Sequence, residues 1–343
     1  MYLRQRLFTT IALVGMLGGG LTTAVPAGAQ PDVRPTAAVS LGDSAASGEG
    51  ARNYEPDTDQ VGVNQCHRSR DSYIHETGIE GIDETINLAC SGGKSGNLLI
   101  GESGQWNEAS QADQLAEIAS GHNITLLTVQ VGANDDPGFA DTVLECVIRW
   151  AAAIGPGCRD TIGAEWPDRA EAMKPKVVEA VGDVRKVMRD AGYADDDYEL
   201  VLTSYASPVT ENMRRLTHAL EGCPLRLPDA EWGRTVAAPL LTDALREVAN
   251  EVGARFLDLS RATEGHEACN RNVPKSQQWA RGLTVRVEDV LHGIGGHLVQ
   301  ESFHPNARGH AQMGRCLGEF HGIDAVEAAC LKGADGNLHP VAP

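Results

Sequence analysis

The chain has 343 residues, enough for one large domain or two small ones. Hydrophobic residues at 42% and charged residues at 22% lie near the globular average, which excludes a largely disordered chain. A net charge of −18 repels phosphate backbones and anionic lipid headgroups, and an aromatic content of 5% leaves little for a base-stacking platform, so nucleic acid is not expected as a partner.

The first 29 residues read as a secretory signal peptide. Arg4 and Arg6 form a positive start, Leu7 to Leu21 is apolar but short for a membrane span, and Ala27-Gly28-Ala29 is a small-x-small cleavage site before Gln30. No other stretch is apolar and long enough to span a bilayer, so no integral span is expected once the signal is removed. The expected compartment is extracellular. Cys66, Cys90, Cys146, Cys158, Cys223, Cys269, Cys316 and Cys330 form an even set in an oxidising compartment, so four disulfides are expected, between sequential couples. No Cys-x-x-Cys pair occurs and the cysteines do not cluster with histidines, which counts against zinc.

After a short Pro-containing lead-in, strand-like and helix-like segments alternate. The predicted strands are Ala37 to Leu41, Thr85 to Ala89, Ile124 to Val131, Tyr198 to Ser204 and Arg255 to Leu259. The predicted helices are Gln111 to Ser120, Phe139 to Ala153, Ala164 to Gly192, Trp232 to Val252 and Ala307 to Phe320. This order implies a parallel sheet with helices on both faces. Gly48 to Ile82, Thr210 to Glu231 and Thr263 to His297 fall outside the alternation and read as disulfide-tied loops above one end of the sheet.

Four blocks carry chemistry. Ligands of open parallel sheets sit at the carboxyl ends of strands. Gly42-Asp43-Ser44, with Gly48 four residues on, follows the first strand and offers a nucleophile and a backbone N–H; the simplest alternative is a helix cap. Cys90-Ser91-Gly92-Gly93 follows the second strand. Gly93-Lys94-Ser95 is similar to the tail of a phosphate loop, but Leu88 stands where that loop needs a glycine. Gly132-Ala133-Asn134-Asp135 follows the third strand and offers a side-chain amide to a developing oxyanion. Glu301-Ser302-Phe303-His304 precedes the last helix. His304 is the natural base for Ser44, and Glu301, three residues earlier, could orient its ring. His292, His297 and His310 lie near His304 in sequence without metal-ligand spacing, and no calcium-binding EF-hand loop is present.

In order and wording these blocks resemble the GDSL or SGNH hydrolase family. Gly42, Asp43, Ser44 and Gly48 match its first block, Gly92 its second, and Gly132, Asn134 and Asp135 its third. His304 matches the fourth, where Glu301 stands in place of the usual aspartate; similarity to secreted actinobacterial members that hold this histidine by a backbone carbonyl makes the Ser302 carbonyl the alternative to Glu301. The resemblance covers about residues 37–320 and is nearest the secreted actinobacterial lipase/esterase branch. It implies a single α/β domain over 30–343, a three-layer α/β/α flavodoxin-like fold with a five-stranded parallel sheet. It also implies a secreted serine carboxylester hydrolase: a lipase or esterase, phospholipase included. Ser44, His304 and Glu301 would be catalytic, and Ser44, Gly92 and Asn134 would form the oxyanion hole. Such chemistry needs no cofactor and no metal. The expected partner is an ester substrate, a lipid or an acylated small molecule or glycan, and the expected state is a monomer. Alternatives are an acyltransferase or a polysaccharide O-deacetylase using the same site, or a catalytically silent binding protein.

Overall fold

The computed structural model describes residues 34–284 and 300–343; the expected signal peptide, His292 and His297 lie outside them. Among the described residues seven strands form one sheet in the order β2-β1-β3-β4-β5-β6-β7. They are β1 (Thr36–Gly42), β2 (Glu84–Asn87), β3 (Asn123–Gln130), β4 (Glu199–Thr203), β5 (Arg255–Asp258), β6 (Glu327–Lys332) and β7 (Leu338–Val341). The first six run parallel, and β7 returns antiparallel on β6. Five strands were expected, and their order is the flavodoxin-like one. The two extra strands lie beyond the last helix, where Glu327–Lys332 is charged at both ends and carries no β-branched or aromatic residue, so it gives no clear strand signal.

Alternation along β1 builds the core. Ala37, Val39 and Leu41 face one cluster, and Ala38 faces the other. The first cluster is covered by α2 (Gln111–Gly121), α5 (Trp166–Asp190) and α7 (Ala238–Val252). On α5, Met173, Val177, Ala180, Val181 and Val184 are buried at helical spacing, which is why this 25-residue segment holds as a helix despite Pro175. The second cluster is covered by α8 (Ala307–His321), through Met313, Leu317 and Phe320. Asn306 starts α8 by accepting the N–H groups of Arg308 and Gly309.

The helix expected over Trp232 to Val252 is broken. A short helix, α6 (Leu227–Trp232), begins inside the expected loop, and a wider π turn (Gly233–Ala237) joins it to α7. Pro239 lacks the N–H that would continue a regular ladder, and the wider turn absorbs that loss.

Four disulfides join the sequential couples Cys66–Cys90, Cys146–Cys158, Cys223–Cys269 and Cys316–Cys330. Cys146, Cys158, Cys223 and Cys269 belong to a third cluster with Trp166, Met213 and Phe303. This cluster carries α3 (Phe139–Ala151) and α4 (Cys158–Ile162) at the carboxyl end of the sheet. Among the described residues no helix is long and apolar enough to cross a membrane.

Candidate active site

Ser44 opens the one-turn helix α1 (Ser44–Ser47) directly after β1. The turn is built on Gly42, at φ +142° and packed so closely on β3 that a Cβ would fall on the Gln130 carbonyl. Gln111, at the start of α2, clamps this glycine from both sides: its Oε1 accepts the Gly42 N–H and its Nε2 donates to the Gly42 carbonyl, both at 2.7 Å. Asp43 caps α1 by accepting the Ala45 N–H at 3.0 Å. Its second oxygen accepts from the Tyr205 hydroxyl at 2.6 Å, and that hydroxyl in turn accepts the Ala133 N–H at 3.3 Å. Tyr205 thus ties the Ser44 block to the Asn134 block. Burial pushes the Asp43 carboxyl up to about 7, with Tyr205 and the Ala45 N–H pulling the other way.

His304 Nε2 lies 2.8 Å from Ser44 Oγ, and Nδ1 lies 2.9 Å from the Ser302 carbonyl. A carbonyl only accepts, so Nδ1 carries the proton and Nε2 is left to accept from the serine hydroxyl. Between them Phe303 takes a left-handed backbone, φ +59°, unusual for a bulky residue and costing about 1–2 kcal/mol. That turn is tight enough to bring a carbonyl two residues back onto the imidazole. It is pinned to Arg281, whose N–H donates to the His304 carbonyl at 2.9 Å and whose carbonyl accepts the Phe303 N–H at 3.2 Å. Phe139 meets the ring edge-on, at 5.9 Å between centroids. Burial holds His304 below the ordinary histidine value, opposed by the Glu49 carboxylate and the Ser302 carbonyl.

Glu301 does not reach the imidazole. Its buried carboxylate accepts from Arg52 Nε at 3.2 Å and Tyr54 at 3.4 Å, with Arg281 at 3.9 Å. The expectation that Glu301 orients His304 is therefore corrected: a side chain turned toward these arginines leaves the position to the Ser302 carbonyl.

Asn134 donates one amide hydrogen to the Gly93 carbonyl at 3.0 Å, which fixes its orientation and leaves the second hydrogen. Asp135 accepts from both the N–H and the hydroxyl of Ser95, fastening the third block to the second. Gly92 sits at φ +77°, and the adjoining Cys66–Cys90 bridge ties this turn to the 48–82 loop. Ser44, Gly92, Asn134 and His304 line one groove of about 830 Å³, whose other wall includes Val143, Leu144 and Val147 of α3. The structure thus brings the four predicted blocks together. Among the described residues no group of three His, Cys, Asp or Glu side chains could hold a metal ion. Buried His310 lies apart from any ligand cluster, stacked on Tyr73.

Residues 40–312 match the GDSL-like Lipase/Acylhydrolase family. The chain belongs to this family. Like its members it is an ester hydrolase. This family member is 28% identical to Lipase 2 of Streptomyces coelicolor, over 94% of its own length and 98% of that protein's. It is 25% identical to a lipase of Streptomyces rimosus, over 91% and 96% of the two chains. In fold it is similar to the solved phospholipase A1 of Streptomyces albidoflavus NA297, with a TM-score of 0.51, 23% identity, and 81% and 95% of the two chains covered.

Sequence reasoning missed Gln111 and Tyr205. Gln111 reads as a polar helix start, and nothing local marks it as a clamp. Tyr205 follows a strand end, so the rule that found the other blocks could have flagged it.

Proposed function

We propose that this hydrolase is a secreted lipase or esterase that works through an acyl-enzyme on Ser44. His304 Nε2 takes the hydroxyl proton as Ser44 Oγ attacks the ester carbonyl. The resulting oxyanion is held by the N–H groups of Ser44 and Gly92 and by the Asn134 amide. The tetrahedral intermediate collapses as His304 returns its proton to the leaving alkoxide. Water, deprotonated by the same nitrogen, then releases the acid. Through both halves the Ser302 carbonyl holds the Nδ1–H and stabilises the imidazolium that forms. The carrying observation is the unbroken relay from Ser44 Oγ through His304 to Ser302 O.

Export follows removal of residues 1–29, so the mature chain begins at Gln30. The four disulfides and the relatives among Streptomyces lipases support this reading. The test is hydrolysis of p-nitrophenyl esters by the oxidised protein beside Ser44→Ala. Turnover lost in the variant, with a serine-reactive phosphonate labelling only the parent, supports the mechanism. Equal turnover in both proteins overturns it.

A further inference from the structure

The 830 Å³ groove is not the only space at Ser44. A small antechamber of about 30 Å³ touches Ser44, Asn134 and His304 on one side and Ala133, Tyr205 and Ala206 on the other. The last three residues also wall a recess of about 110 Å³ beneath α3. Phe139 and Phe303 border all three spaces. The recess continues to Trp166, Ala230, Ala237 and Leu241, residues that line neither the antechamber nor the groove.

Its wall is apolar by construction. Most of its polar side chains are spent elsewhere: Tyr205 on Asp43, Thr142 on the Pro137 carbonyl, Ser207 on the Val209 carbonyl, Trp166 Nε1 on the Ala237 carbonyl. Asp229 accepts the N–H groups of Cys158 and Arg159 at the start of α4. Such a recess offers water few partners and suits a hydrocarbon. Antechamber and recess together approach the ~150 Å³ of a cavity that holds benzene, hence a chain of about six to eight carbons counted from the carbonyl.

We propose that the recess beneath α3 is the acyl-chain site, which makes this enzyme selective for medium-chain acyl esters, with Phe139 and Phe303 at its mouth and the open groove left to the alcohol portion. The assignment rests on the acyl-enzyme reading above. The carbonyl carbon bonded to Ser44 Oγ sits at the antechamber, and its tail enters past the two phenylalanines. The leaving alcohol exits through the wide groove.

The test is kcat/KM on p-nitrophenyl esters from acetate to decanoate for the parent, Ala230→Leu and Leu225→Ala. Both positions line the recess away from Ser44. The parent should gain about fourfold per methylene, the transfer value of a buried CH₂, up to hexanoate or octanoate and then level off. Ala230→Leu should move that break about three carbons shorter, and Leu225→Ala should move it longer, with acetate turnover unchanged in both. Ala230→Val is the milder substitute should the leucine prevent folding. A flat parent profile, or a break that neither folded variant moves, overturns the acyl site while Ser44-dependent acetate hydrolysis keeps the enzyme reading standing. Loss of Ser44 dependence on every ester overturns both.

Discussion

Replacing Glu301 with glutamine separates two roles that a sequence position alone confuses. Were Glu301 the group that orients His304, its neutralisation should cost roughly 10⁴ in kcat, as when a triad carboxylate is replaced. In the structure its carboxylate is 2% exposed and engaged by Arg52 and Tyr54, while the imidazole is held by the Ser302 carbonyl. The substitution therefore removes a charge-assisted pairing, typically about 1.5–3 kcal/mol. Arg52 is 57% exposed and keeps much of its hydration, which trims the loss to about 1–2 kcal/mol. At about 2 °C per kcal/mol for a chain of this length, the melting temperature should fall by about 2–4 °C. Steady-state kinetics on a p-nitrophenyl ester should show kcat within about threefold of the parent. A thousandfold loss of kcat with the melting temperature unchanged would refute the backbone-carbonyl assignment.

The same geometry sets three further expectations. Asn134→Ala should lower kcat by about 10²–10³ with KM nearly unchanged, because its second amide hydrogen acts on the oxyanion and not on the bound ester; an intact kcat removes it from the oxyanion hole. Since burial holds His304 below the ordinary histidine range, the base stays neutral into mild acid, and the acid limb of kcat/KM should fall below pH 6.5; an inflection above that value contradicts the buried imidazole. His67 lies buried between Glu49 (2.8 Å) and Asp59 (3.3 Å). Burial opposes its charge, but the hydrogen bonds it donates to Asp59 and Glu49 outweigh that and raise it to about 9. Its contribution, on the order of 3 kcal/mol, is complete below the unfolded value near 6.5 and fades as pH rises through 9. Melting curves from pH 6 to 9.5 should therefore slope downward in the parent and be flatter in His67→Gln; parallel slopes would show that His67 is not the source.

The sheet was readable because β1, β3 and β4 hold apolar runs stopped by turn residues, and a run buried on both faces has little other use. Strands β6 and β7 escaped because Glu327–Lys332 mixes charges with small residues and takes its place from pairing with β5. Gly42 and Gly92 stood out because a backbone that turns at positive φ leaves a residue type behind. The resemblance left two partners open for His304, Glu301 and the Ser302 carbonyl: a carbonyl belongs to every residue, and what selects Ser302 is the left-handed turn at Phe303. Glu301 looked right by spacing, and only the positions of Arg52 and Arg281 show where its charge goes. The recess beneath α3 draws its wall from residues more than a hundred positions apart, from Ala133 to Phe303, so no window of sequence could display it.

The four disulfides never interleave: each closes before the next begins, over separations of 24, 12, 46 and 14 residues. A polypeptide delivered amino end first therefore meets its bonding problem in the simplest possible order. Whenever an unpaired thiol is waiting, the next cysteine to emerge is its correct partner. Of the 105 ways to join eight cysteines, vectorial delivery alone favours the native one. Refolding from the fully reduced, full-length chain loses that guidance, since all eight thiols then compete at once.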